Sequence, residues 1–185
     1  MIEQLHFTES EAANRLLVED PMALLVGFAL DQQVTVQKAF MGPLVLLDRL
    51  GTLDAAAIAA ADLDTLFRER PAIHRYPGAM AVRVRALAEH LRDVYDGDAG
   101  RVWTGAPDCE TLLANLQALP GFGTMKVKAL AAVLAKRFGV AAAEPLVPWH
   151  PTLGDIDTRA ALDEYKAAKR LHKREWEKTR PAVRA

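Results

Sequence analysis

Leu119-Pro120-Gly121-Phe122-Gly123-Thr124-Met125-Lys126-Val127-Lys128 is the stretch on which the reading of this chain turns. Asp108 caps a helical run that leads into it, and a second helical run leaves it and stops at Gly139. A turn with glycine near both ends lets the backbone take positive φ and come close to a ligand. The first amides of the second helix have no partner within that helix, and the helix dipole adds partial positive charge at the same place. Together these make an anion pocket, which Lys126 and Lys128 deepen. The natural anion for an exposed turn between two helices is a nucleic-acid phosphate. Contacts of that kind fix position on a duplex and read no sequence. A plain helix connection with glycine as a cap is the other reading of the same residues.

Outward from the turn, the chain reads as helices. Thr8-Glu9-Ser10-Glu11 has capping-box spacing with Thr8 as the cap. Asp20-Pro21 supplies an N-cap and a first-position proline. Residues 21–40 are apolar on nearly all sides until Asp31, which predicts a central buried helix broken at Gly42-Pro43. Residues 43–50 then predict a short helix closed by Gly51, and Thr52 and Asp62 read as caps of the next two. Residues 79–95 predict a long amphipathic helix with Val82, Ala86, Leu87, Leu91 and Val94 on one face, ended by Asp96-Gly97-Asp98. The three prolines of residues 144–151 predict irregular chain. A last, almost wholly charged helix starts near Asp157, in which only Ala160, Ala161, Leu162, Tyr165, Leu171 and Trp176 could pack. No run of alternating β-branched residues occurs, so the expected fold class is all-α. One helical domain is expected over residues 1–158, with its hairpin at 111–138, followed by a charged helix or tail over 159–185.

Composition narrows the function classes. The chain has 185 residues, 51% hydrophobic and 25% charged, the balance of a globular protein rather than a disordered or fibrous one. The longest apolar run stops at Asp31, short of the roughly 18 residues of a membrane span. The first ten residues carry no basic region followed by an apolar one, so no secretory signal and no membrane partner are expected. The single cysteine, Cys109, excludes an internal disulfide, a four-cysteine iron–sulfur cluster and cysteine-rich zinc sites, and points to a reducing cytoplasm. The net charge of −1 is unevenly divided: residues 159–185 hold nine Lys/Arg against four Asp/Glu. Lys126, Lys128, Lys136 and Arg137 form a second basic cluster with no acidic residue between Gly121 and Ala143. Such a split permits a cationic face on a nearly neutral protein, and a solvated helix is the plainer account of the tail.

The sequence L-P-G-F-G at residues 119–123, followed by a basic helix, resembles the helix–hairpin–helix signature of the endonuclease III and AlkA-like DNA glycosylases, the HhH-GPD superfamily. Asp20-Pro21, the apolar helix into Leu30-Asp31-Gln32-Gln33-Val34-Thr35-Val36, and residues 76–87 extend the resemblance to about residues 20–138. It implies a multi-helix glycosylase-like fold; residues 158–180 depart from the family, being charged where it has a largely apolar helix, so a shortened C-terminal part is expected, together with a monomer and no iron–sulfur cluster, metal or other cofactor. It also implies double-stranded DNA with a damaged or mismatched base as the partner. The activity implied is base excision: flipping the base out of the stack and hydrolysing its N-glycosidic bond. A degenerate relative that binds duplex or damaged DNA without cleavage is the alternative, and a helical interaction protein is a third.

Carried over residue by residue, the resemblance makes Gln33 the wedge or the reader of the orphaned base. Gly121, Phe122, Gly123, Thr124, Lys126 and Lys128 become DNA contacts. Lyase members of the family carry a lysine where this chain has Met125. Lys126 lies one residue on, about 100° around the helix, and is expected to miss that pocket, which disfavours a Schiff-base lyase. The superfamily's catalytic Asp corresponds to Asp157, in an Asp-Thr pair like that of the endonuclease III branch, or to Asp155 after Gly154. Both also read as caps of the last helix. Trp149 either stacks on a flipped base or plugs the core, and Tyr76 is the second base-pocket candidate. His74 and His150 stay open between a chemical and a structural role, and Trp103 reads as a core anchor.

Overall fold

The computed structural model describes residues 2–179, and every described element is helical. Helix α1 (Glu11–Glu19) starts at Ser10, whose hydroxyl accepts the Ala13 amide. Thr8 is therefore not the cap. It is buried and exchanges hydrogen bonds with Asn14, which fastens the N-terminal segment to α1. Asp20 caps α2 (Pro21–Leu30) through the Met22 and Ala23 amides, as its position before proline predicts.

The break after α2 falls earlier than the sequence suggests. The chain leaves the helix at Asp31 and restarts at Thr35, whose hydroxyl accepts the Lys38 amide and opens α3 (Val36–Leu50). Gly42-Pro43 does not interrupt α3, which runs through both residues, and no separate helix covers 43–50. Packing supplies the reason. A Cβ at Gly42 would run into Leu30, and one at Gly27 into the Phe40 ring, so the two bare backbones let α2 and α3 lie in close contact. Phe40 is fully buried, 4.8 Å from Phe7 and 5.1 Å edge-on from Phe28. That burial offsets the missing backbone hydrogen bond at Pro43.

Helix α4 (Ala55–Ala60) is capped by Asp54 rather than Thr52, whose hydroxyl instead accepts the Asp54 amide. Asp62 caps α5 (Leu63–Arg68) as expected. Both pack on α6 (Pro77–Tyr95), which begins two residues before the predicted start. Its buried stripe is Met80, Ala81, Val84, Leu87, Ala88 and Leu91, while Val82 and Val94 of the expected face are exposed. The short α7 (Arg101–Thr104) seats Trp103 in the core. Helices α8 (Cys109–Ala118) and α9 (Thr124–Phe138) flank the glycine turn, with Asp108 and Gly139 at their outer ends as predicted.

Beyond α9 the chain forms two 3-10 turns, Ala141–Leu146 and Leu153–Asp155, both folded back on α9. Helix α10 (Arg159–Thr179) buries Leu162 and rests Ala161 and Tyr165 on the core, while Ala160 and Leu171 are exposed. The Trp176 side chain and residues 180–185 lie outside the described residues. Among the described residues there is no strand, and no helix is long and apolar enough to cross a membrane.

Candidate nucleic-acid interface

The turn between α8 and α9 is built by three residues. Leu119 ends α8 and accepts the Phe122 amide at 3.1 Å. Gly121 sits at φ +80°, a conformation that favours glycine. Phe122 turns inward and is 6% exposed, so its ring anchors the turn and is not a DNA-facing group. Gly121, Gly123 and Thr124 remain exposed, and no side chain caps the start of α9. The first amides of that helix therefore face outward with the positive end of the helix dipole behind them.

Lys126 and Lys128 differ in environment. Lys128 is exposed. Lys126 is part-buried: its ammonium donates to the Ala29 carbonyl at 2.9 Å and stands 5.8 Å from the Phe122 ring centre. Burial, then the neighbouring Arg83 guanidinium, push its pKa down to about 8, against the opposing pull of Asp31.

These residues wall a cleft of about 490 Å³. One wall is the segment after α2, with Asp31, Gln33 and Val34. Another is the first turns of α9, with Met125, Lys126 and Lys128. The loop carrying Pro148, Trp149, His150 and Pro151, together with Tyr165 of α10, closes it. Met125 and Lys126 line the same cleft, so the expectation that Lys126 misses the Met125 pocket is corrected. Its place near the axis end of α2, where unpaired carbonyls attract a cation, draws the side chain in.

Gln33 is exposed at φ +56°, a left-handed backbone that a non-glycine residue holds only when its surroundings fix it. Its neighbour Gln32 accepts a hydrogen bond from Arg83 through Oε1. Trp149 is 93% exposed, which overturns the core-plug reading. Trp149 follows Pro148, and its ring meets His150 edge-on at 5.8 Å.

The remaining candidates lie apart from the cleft lining. Tyr76 stands exposed at the start of α6, under the Arg75 guanidinium. His74 is buried between α2 and α6: Nδ1 accepts the Tyr76 amide at 3.0 Å, which leaves the proton on Nε2 to donate to the Leu30 carbonyl at 3.1 Å. Burial pushes its pKa down, so the ring is a neutral strap. Asp155 forms a capping box with Thr152 and pairs with Lys136. Burial pushes its carboxyl up, but the bonds from Lys136 and Thr152 outweigh this and hold it below the usual range. Asp157 is exposed and lines a separate shallow depression with Glu3, His6 and Arg137. Neither carboxylate is part of the cleft wall. Among the described residues the carboxylate lining the cleft is Asp31, and no group of three or more His, Cys, Asp or Glu is placed to hold a metal ion. Asp31, which lines the cleft, and Arg83, which holds Gln32 from outside that lining, are the two residues the sequence reading passed over. The only signal for the first is its place between an apolar helix and Gln32-Gln33.

Comparison with protein-family models, with curated proteins and with solved structures finds no match to this chain.

Proposed function

We propose that this chain is a base-excision DNA repair protein of the HhH-GPD kind. It binds duplex DNA through the α8–α9 turn, takes a damaged or mismatched base into the cleft and hydrolyses its N-glycosidic bond. The observation that carries the reading is that the helix opening at the phosphate-facing turn and the left-handed Gln33 segment are two walls of one cleft. Turning a base out of the stack costs a few kcal/mol. The Gln33 amide offers a donor and an acceptor to the partner base left behind. The exposed Trp149 ring gives the extruded base a stacking surface, and such stacking contributes about 1–3 kcal/mol per base. Water attacks the sugar carbon as the bond to the base breaks, and Asp31 is the cleft carboxylate able to steady the positive sugar.

A second reading, lesion recognition without cleavage, is favoured by the positions of Asp155 and Asp157: the first is held in a cap and the second lies in another depression. Duplexes carrying uracil, hypoxanthine, an alkylated purine or an oxidised base, treated with alkali after incubation, separate the two. The glycosylase reading expects strand breaks on at least one lesion, reduced a hundredfold or more in Asp31→Asn and little in Asp155→Asn. Loss in Asp157→Asn with Asp31→Asn active would return the chemistry to the Asp157-Thr158 pair. Lesion-selective binding with no break on any substrate supports the second reading. Absence of salt-dependent duplex binding sinks both.

A further inference from the structure

Arg83 of α6 touches both parts of the interface described above. Its aliphatic stem lies against the turn: a Cβ added to Gly121 would stand 3.0 Å from Arg83 Cδ and 3.2 Å from Cγ. Its guanidinium donates to Gln32 Oε1, on the residue before the left-handed Gln33. One side chain thus bridges the turn that faces the phosphates and the segment that faces the bases, two places far apart in the sequence. Lys126 runs a parallel tie from α9 to the Ala29 carbonyl in the last turn of α2. A strained backbone such as that of Gln33 persists when neighbouring contacts over-determine it, and the Arg83–Gln32 bond is such a contact.

We propose that Arg83 is a positioning residue that ties the hairpin turn to Gln32 and so fixes the angle at which the Gln33 amide enters the duplex when the turn sits on the backbone. The inference rests on the DNA-binding reading and adds to it a residue that need touch no DNA. Base entry is then coupled to seating of the turn, because both rest on one side chain, the turn on its stem and Gln32 on its guanidinium. A bare phosphate contact or a packing residue would lack this coupling.

The test uses a duplex with 2-aminopurine opposite an abasic position. Its fluorescence at saturating protein reports unstacking, and anisotropy of an end label reports binding. Arg83→Met keeps the stem under Gly121 and removes the donor; Arg83→Lys keeps a donor and the charge. The expected result for Arg83→Met is a Kd within threefold of wild type but a fluorescence rise at saturation reduced at least fivefold. Arg83→Lys should recover at least half of it, and Gln32→Ala should reproduce the loss. A wild-type fluorescence rise at saturation in Arg83→Met overturns the proposal, whether or not the Kd has weakened. Should wild type not bind the duplex at all, the DNA reading falls by itself. Amide hydrogen exchange on the unbound proteins then decides the coupling. Arg83→Met must speed exchange tenfold or more in residues 31–35, and Arg83→Ala, which removes the stem as well, must do so in both 31–35 and 119–123; unchanged exchange in either case overturns it.

Discussion

Lys126 reads from sequence as a phosphate contact or a surface lysine, yet its ammonium reaches back to the carbonyl end of α2. Its pKa of about 8 follows first from burial and then from Arg83. The sign of its pH effect differs for stability and for binding. The unfolded chain keeps this lysine charged up to about 10.4, while the folded chain releases the proton near 8. Between those values the unfolded state holds more protons, so this group makes stability rise with pH. Below pH 8 both states are charged and the burial cost is fully present. On the proposed DNA-binding reading, phosphate favours the charged form, so affinity should fall as pH climbs through 8. We expect the Kd for an undamaged duplex to rise by up to about tenfold between pH 7 and pH 9 at constant ionic strength. Lys126→Gln should bind more weakly at pH 7 and show little change over the same range. A flat wild-type profile would remove Lys126 from the interface.

The end of α2 is where element-level reading failed, and His74 explains why. Caps at Asp20, Asp62, Asp108 and Gly139 were legible because each acts on its own neighbours in the chain. The break at residues 31–35 depends on distant groups: His74 takes the Leu30 carbonyl and Lys126 takes that of Ala29. Pro43 failed in the opposite sense. Locally it breaks a helix, but packing of Gly42 against Leu30 and burial of Phe40 hold α3 together across it. The glycine turn was legible for the same local reason as the caps. Asp31 and Arg83 were not, because only the packing of α2, α6 and α9 brings them to the site. Trp149 stays open between two readings in the sequence because an apolar ring near prolines suits a core as well as a cleft mouth; its exposure decides against the core. His74→Ala should cost about 1–3 kcal/mol, since the Tyr76 amide loses its partner and the Leu30 carbonyl is left with the Gln32 amide alone. Burial, with Lys38 and Lys126 nearby and against the pull of its backbone hydrogen bonds, lowers the folded His74 pKa below its unfolded value near 6.5. Wild type therefore loses stability as pH falls below about 6.5, and the wild-type-minus-variant difference should shrink there. Urea melts at pH 7.5 and 5.5 measure it; a difference that grows on acidification would refute the neutral-strap assignment.

At the scale of the whole molecule, the proposed duplex binding requires more positive charge than the turn alone supplies. The basic cluster on α9 is smaller than its four residues suggest. Lys136 is paired with Asp155, and Arg137 donates to the Gly154 carbonyl. Lys126 is shared with the end of α2, which leaves Lys128 as the exposed cation beside the cleft. Residues 169–185, by contrast, carry seven Lys/Arg against two Asp/Glu. Helix α10 brings its first half onto the cleft through Tyr165 and Ala168, so the basic half leaves from the cleft's own rim. A chain ending at Ala168 keeps Leu162, Tyr165 and the cleft wall but loses that charge. Its melting temperature should stay within about 3 °C of the full chain's, because Arg170, Leu171 and Arg174, the removed residues whose burial is described, are all exposed. Duplex affinity at low salt should fall at least tenfold. The slope of log Kd against log salt should drop by more than one unit, because counterion release contributes close to one unit for every phosphate that a Lys or Arg neutralises. Anisotropy titrations at three salt concentrations read both quantities. An unchanged slope would make the tail a solvated surface and leave the turn and Lys128 to hold the duplex alone.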